Sequence, residues 1–326
     1  MKIRWSSVKL LMLICVVWQF AANSWAQNYP SRVVRLIVPY SAGSGSDIVG
    51  RIIAGGLADA FGQQVVVDNR AGAAGSIGAQ VAAQAPPDGY TLLLLNVSNA
   101  VNVTLYRKLP YDLLRDFAPV AMFDTSPAVI VVHPSLPVKS LAELVKLAKA
   151  KPGEINVASA GSGTFTFLAM AIFNGRADVD MLHVPYRSGA EAITSVVAGE
   201  TSVYFAPIST SLPHIRQGKL RPLAVTSAKR MALLAEKPTV AELGYPGYEV
   251  GNWHGLAVPA GTPKEAIAVI NKAAMSALKN PTLTKRLEGL GFIPAGSSPE
   301  QFTAYIKLQI ETLGKVIRAF KLSAGK

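Results

Sequence analysis

Cysteine is nearly absent from this 326-residue chain: one, Cys15, lies close to the N-terminus. No disulfide framework can be built from it, so stability has to come from a buried core rather than covalent staples. Charge is sparse, at 16% of residues, and unbalanced, with 32 Lys+Arg against 20 Asp+Glu. Half of the chain is apolar, which is too hydrophobic for a disordered protein. Histidines number four and are scattered at 133, 183, 214 and 254, without the spacing of a zinc site, and read as packing or surface residues. No metal or other cofactor is expected. Basic clusters interleaved with aromatics are missing too, which excludes the usual nucleic-acid surfaces.

Long apolar runs are also missing, with one short exception. Lys2, Arg4 and Lys9 precede an eleven-residue stretch, Leu10 to Phe20, followed by Ser24-Trp25-Ala26 with small residues where a signal peptidase reads. This is a secretory signal over residues 1–26, with cleavage predicted before Gln27 and export of the remainder. Eleven residues fall short of the roughly 20 that span a bilayer. Cys15 sits inside the apolar run after Ile14, which argues against a lipoprotein. Cleavage takes away three basic and no acidic residues, lowering the net charge from +12 to +9. It leaves no cysteine and a single tryptophan, Trp253. The excess of positive charge suits anionic ligands, or is simply solvated on helix faces at Lys307, Lys315, Arg318 and Lys321.

What remains alternates strand and helix signals. Val33–Val38, Val65–Asp68 and Thr91–Leu95 read as strands, with helices between them; the first helix is capped by Ser46 or Asp47 and closed by Gly62. The pattern restarts at Ile155–Ala158 and runs through Met181–Val184, Val203–Phe205 and Leu223–Thr226, before two closing helices, Lys264–Lys279 and Pro299–Phe320. Alternation at this spacing predicts parallel sheets covered by helices. Two extended stretches, Ala118–Val132 and Tyr248–Val258, flank the second block and are expected to run antiparallel between the lobes. The chain therefore reads as α/β: two doubly wound lobes joined by two crossing strands around a cleft. Lobe 1 takes residues 27–127 and 250–326, and lobe 2 takes 128–249. Ligands in such sheets bind beyond the carboxyl ends of the strands.

One motif occurs twice. Ser41-Ala42-Gly43-Ser44-Gly45-Ser46 follows the first strand of one lobe, and Ser159-Ala160-Gly161-Ser162-Gly163-Thr164 the first strand of the other. Glycines allow a tight turn, hydroxyls add donors, and a following helix N-terminus favours a carboxylate or phosphate. The plainer reading is a pair of strand–helix turns with capping hydroxyls. Repetition at equivalent places favours anion recognition. Neither copy is a nucleotide loop or a nucleophile elbow around Ser44 or Ser162, so no enzyme is expected. Gly72, Gly75 and Gly78 form a glycine-rich turn read as packing. Trp253 either packs at the hinge or lines the cleft floor.

Several blocks carry a resemblance: Arg35-Leu36-Ile37-Val38-Pro39-Tyr40, Asp68-Asn69-Arg70-Ala71-Gly72-Ala73-Ala74-Gly75, Pro87-Asp88-Gly89-Tyr90, Val184-Pro185-Tyr186, Leu220-Arg221-Pro222-Leu223 and Pro259-Ala260-Gly261-Thr262-Pro263. Over nearly its whole exported length the chain resembles the Bug/TctC family of periplasmic solute-binding proteins, receptors of tripartite tricarboxylate transporters. The resemblance implies a type II periplasmic-binding-protein fold, capture of an organic acid (a dicarboxylate or aromatic carboxylate), delivery to membrane permease subunits, and a monomer. A ligand-sensing role is the alternative, and a serine hydrolase the remote one. It also implies a site built from Tyr40 to Asp47, Ser98, Ser159 to Thr164 and the position of Ala206. The first loop usually reads Pro-Pro-Gly-Gly-Gly-Thr/Ser-Asp in that family, so this chain departs at both prolines and one glycine. Phe165 and Phe167 replace a small residue and a histidine of many members, which implies a more apolar wall. Ala206 stands where ammonium-binding members often carry an acid, so a ligand lacking an amino group is expected.

Overall fold

The computed structural model describes residues 29–323; the expected signal segment and its cleavage point lie outside them. Strand β1 (Val34–Val38) is an unbroken apolar run, and buried on both faces as such runs are in parallel sheets. It pairs in parallel with β2 (Val65–Asn69) and β3 (Thr91–Asn96). Between β1 and β2 lies α1 (Gly45–Phe61), whose Val49, Ile52, Ile53 and Leu57 face the sheet at helical spacing. Gly62 ends it in the left-handed region, returning its amide to Ala58. Helix α2 (Ser76–Ala83) follows β2, and α3 (Val97–Leu105) starts directly from β3. The sequence reading has no helix at α3, because Val97, Val101, Val103 and Thr104 are poor helix formers. A reciprocal capping box between Asn96 and Asn99 starts the helix there nonetheless.

The long β4 (Phe117–Val132) joins the two halves of the sheet. Its first part, Phe117 to Pro127, pairs antiparallel with β9 (Gly251–Pro259). Its last part, Ala128 to Val132, pairs with β7 (Val203–Pro207) and β8 (Arg221–Val225). Parallel pairs β7–β5 (Asn156–Ser159) and β5–β6 (Leu182–Pro185) complete the second half. The path through the sheet is β2-β1-β3-β9-β4-β7-β5-β6. The antiparallel partnership of the two extended stretches is thus present, with β4 the strand shared by both halves.

Helices α4 (Leu141–Ala150), α5 (Phe165–Ala177), α6 (Gly189–Val197) and α7 (Ile208–Arg216) cover the second half. Helices α8 (Lys264–Lys279), α9 (Pro281–Gly289) and α10 (Pro299–Ala319) return to the first, with a short β10 (Ile293–Pro294) beside β4. Trp253, Phe302, Phe173, Phe205 and Leu223 belong to one core that runs beneath both halves. Separate cores lie behind each: Leu36, Ile53, Leu94, Phe123 and Ile270 in the first, Val131, Val196, Tyr204 and Leu212 in the second. No helix among the described residues is long and apolar enough to cross a membrane.

Candidate functional site

A cavity of about 330 Å³ lies where the carboxyl ends of the parallel strands of both halves meet. Its first wall is the loop after β1 (Tyr40, Ser41, Ser44, Gly45, Ser46), the turn after β2 (Ala71 to Gly75) and Asn96 at the end of β3. Ser126, Asn252 and His254, from β4 and β9, make the floor. The second wall carries Ala160, Gly161, Ser162 and Thr164 after β5, then Tyr186 to Gly189 after β6. Tyr204, Pro207 and Thr210 close it.

Each of these loops runs straight into a helix. The residues that precede α1, α3, α5, α6 and α7 are Ser44, Asn96, Thr164, Ser188 and Pro207, and all five line the cavity. Five helix N-termini therefore converge on one space, each bringing unpaired amides and a positive partial charge. Ser44, Asn96, Thr164 and Ser188 each cap one amide with a side-chain oxygen, whereas Pro207 offers α7 no such cap. Among the described residues, Arg187 is the one lining side chain with a permanent charge, and no Asp or Glu lines the space. The arrangement is electropositive through its helix ends, with one guanidinium beside them.

The first loop is held from behind. Asp47 accepts from the Gly43 amide (2.9 Å), Arg51 Nε (3.1 Å) and Asn69 Nδ2 (2.9 Å). Burial pushes its carboxyl up, but the bonds from Arg51, Gly43 and Asn69 outweigh this and hold it below the usual carboxylate range. The second loop is held by its own hydroxyls: Ser159 Oγ lies 2.6 Å from His183 Nε2 and accepts the Gly161 amide at 3.0 Å, and Thr164 donates to the Gly161 carbonyl at 2.6 Å. Gly163, at φ +80°, meets Asn102 of α3 so closely that a Cβ would lie 2.7 Å from its Oδ1. Only glycine suits both the conformation and the gap.

A chain of hydrogen bonds crosses the floor. Tyr40 donates to Asn96 Oδ1 (2.6 Å), Asn96 Nδ2 lies 3.2 Å from Ser46 Oγ, and Ser46 Oγ lies 3.0 Å from His254 Nε2. His254 Nδ1 is 3.0 Å from Asp124 Oδ1, and both side chains are buried. On the opposite wall Tyr204 is fully buried, and its hydroxyl makes no hydrogen bond of ordinary geometry among the described residues. Burial pushes the Tyr204 and Tyr40 hydroxyls well above their ordinary range, so both keep their protons at neutral pH.

Of the residues singled out from sequence, Tyr40, Ser41, Ser44, Gly45, Ser46, Ala160, Gly161, Ser162 and Thr164 are brought together around the cavity. Ala42, Gly43, Asp47, Ser98, Ser159, Gly163 and Ala206 are outside its lining. Gly43, Asp47, Ser159 and Gly163 shape or tether the loops. Ser98 is buried in the first turn of α3, with its amide on Asn96. Ala206 lies within β7 and packs into the second-half core, so the acid-free lining, rather than Ala206, bears on the charge of a ligand. The cap of α1 is Ser44, not Ser46 or Asp47, because the Ser46 hydroxyl is taken by His254 and the Asp47 carboxylate reaches back to Gly43. Phe165 lines the cavity, while Phe167 packs on His183 with ring centroids 5.0 Å apart. Trp253 stacks edge-on against Phe302 and Tyr305, away from the cavity.

His254 is a floor residue rather than a packing one, and the Gly72–Gly75 turn is a wall rather than filler. Tyr204, Asn96 and Arg187 carried no local signal, since each reaches the cavity through strand pairing far along the chain. A repeated strand–hydroxyl–helix pattern at Ser188 was the one missed cue, because Ser188 with Glu191 is an ordinary cap sequence.

Comparison with known proteins matches residues 49–322 to the family described as tripartite tricarboxylate transporter family receptor. Protein BugT of Bordetella pertussis is 35% identical over 300 residues, covering 91% of this chain and 92% of that protein. Among solved structures, R. palustris Rpa4515 with adipate has a TM-score of 0.88 at 33% identity, covering 90% of this chain and 99% of that one. MatC from Rhodopseudomonas palustris, with bound malate, has a TM-score of 0.83 at 30% identity and covers 89% of this chain and 100% of that one. The architecture is the two-lobed α/β fold of periplasmic solute-binding proteins.

Proposed function

We propose that this chain, which belongs to the tripartite tricarboxylate transporter receptor family, captures an organic acid in the periplasm and presents it to membrane permease subunits. The ligand is a dicarboxylate or aromatic carboxylate without an amino group. The observation that carries this reading is the convergence of five helix N-termini on a cavity with no acidic side chain in its lining. A carboxylate taken out of water needs donors on most of its lone pairs, and preorganised amides supply them with little reorganisation. An ammonium group would meet the same positive ends and no carboxylate on the walls. Adipate and malate in the related structures are both dicarboxylates. Export by cleavage before Gln27, and lobes of 27–127 with 250–326 and of 128–249 that move against each other as a monomer, belong to the same reading.

The test is a thermal-shift screen of carboxylates, sugars, amino acids and polyamines on the exported chain. A ligand at 100 times its Kd adds about 2.7 kcal/mol of stability. Hits confined to carboxylates are expected; a strong amino-acid or polyamine hit would overturn the reading.

A second reading has one observation in its favour. Ser46, His254 and Asp124 stand in the hydrogen-bond order of a hydrolase triad. Incubation with p-nitrophenyl esters separates the two: acid binding without turnover is expected, whereas turnover lost in Ser46→Ala would favour the hydrolase.

A further inference from the structure

The floor of the cavity has a polarity that its walls do not share. Two amide side chains fix it. Asn252 Oδ1 accepts from the Val97 amide (3.3 Å) and the Trp253 amide (3.0 Å), which turns its NH₂ toward His254 Nε2 at 3.2 Å. A proton on Nε2 would set donor against donor, so Nε2 is an acceptor and the imidazole proton is on Nδ1, donated to Asp124. Asn96 Oδ1 is likewise occupied by the Tyr40 hydroxyl and the Ser98 amide (2.8 Å), which turns its NH₂ toward Ser46 Oγ. Nε2 has one lone pair, and Ser46 Oγ at 3.0 Å is the nearer of its two facing donors, so Ser46 accepts from Asn96 and sends its own proton to His254.

Every donor in this chain points toward Asp124, whose second oxygen is buried and has no partner among the described residues. The only hydrogen-bonding capacity Ser46 has left for the cavity is a lone pair. A ligand carboxylate placed there would set lone pair against lone pair. A ligand hydroxyl placed there donates to Ser46 and completes its bonding. Carboxylates belong instead with Tyr204, Arg187 and the helix N-termini.

We infer that the Ser46 corner is an acceptor subsite for a ligand hydroxyl, so that the preferred ligands are hydroxylated acids, with His254 and Asp124 as the positioning residues that set its polarity. This inference rests on the acid-binding reading and names the substrate class within it. A site built to bond a hydroxyl discriminates against the analogue lacking one because its own polar group is then left unpaired.

The experiment is calorimetric titration of the exported chain with two matched pairs, malate against succinate and mandelate against phenylacetate. In the pair the cavity accommodates, the hydroxy acid should bind at least tenfold tighter, about 1.4 kcal/mol. Ser46→Ala should erase that ratio, and Asp124→Leu should reduce it. Should Asp124→Leu fail to fold, long-range nitrogen–proton NMR of wild-type His254 reads the same relay, with a bare Nε2 and a protonated Nδ1 expected. Equal binding within each pair, a ratio that survives Ser46→Ala, or a proton on Nε2 would overturn the inference while leaving acid binding intact. If none of the four acids binds, the inference falls; acid binding falls with it only if the wider carboxylate screen is also blank.

Discussion

A buried hydroxyl without a partner costs free energy in the empty protein, and Tyr204 carries one against the cavity. In the acid-binding reading its hydroxyl is matched by a ligand oxygen, and Tyr204→Phe should separate binding from stability. Affinity for the acid should fall more than tenfold, since a bond to a charged group is worth about 1.5–3 kcal/mol. The melting temperature without ligand should hold or rise. A fall in both would make Tyr204 structural instead. Asp47 makes a prediction of opposite kind. Its folded pKa is depressed, so its stabilisation is complete above the unfolded carboxylate value of about 4 and is lost as pH falls through the lower folded value. Wild type should thus lose stability relative to Asp47→Asn as pH drops below about 4, read from urea midpoints across that range. At this scale the sequence was legible where chemistry is local: Ser41 to Ser46 and Ser159 to Thr164 must turn a strand into a helix within six residues, and glycines with capping hydroxyls announce it. His254 was not legible, because it meets Ser46 only after β3, β9 and β4 pair, 208 residues along the chain.

Elements show the same division. Strands β1 and β3 and helices α1, α8 and α10 follow from apolar periodicity and end signals, while α3, α4, α7 and α9 do not appear in the sequence reading. Helix α7 follows Pro207 and contains Pro213, and α9 begins at Pro281, so proline read as interruption where it served as entry or was tolerated near an end. Packing between elements is set by close approach. Gly255 of β9 lies under Phe302 of α10, where an added Cβ would fall 2.3 Å from the ring and 2.7 Å from the Ala121 carbonyl. Gly255→Ala should therefore destabilise by about 1–3 kcal/mol through overpacking, measured as a lowered urea midpoint with unchanged slope. An unchanged midpoint would mean that α10 is not seated on the sheet as described.

The whole molecule was the most legible level, because alternating strand and helix signals that restart midway admit few arrangements. What the alternation leaves out is how the halves meet. Gly45 of α1 faces Pro207 and Ser209 across the cleft, with a Cβ position 3.1 Å from Ser209 Oγ. Gly45→Val should hold the halves apart, weakening acid binding at least tenfold (about 1.4 kcal/mol) and raising the radius of gyration of the ligand-saturated protein. Equal scattering from variant and wild type would remove this contact from the closing motion. Trp253 provides a second view: its neighbours Asn252 and His254 line the cavity, so ligand should shift its emission saturably in the wild type.

A crystal structure of the exported chain with the tightest-binding acid from the carboxylate screen tests the central claim most directly. One ligand per chain is expected in the cavity between the halves, with a carboxylate oxygen about 3 Å from the Tyr204 hydroxyl and the others on amides at the starts of α1, α5, α6 or α7. An acid bound elsewhere, or lying in the cavity with no carboxylate oxygen on any helix N-terminus, would contradict the account.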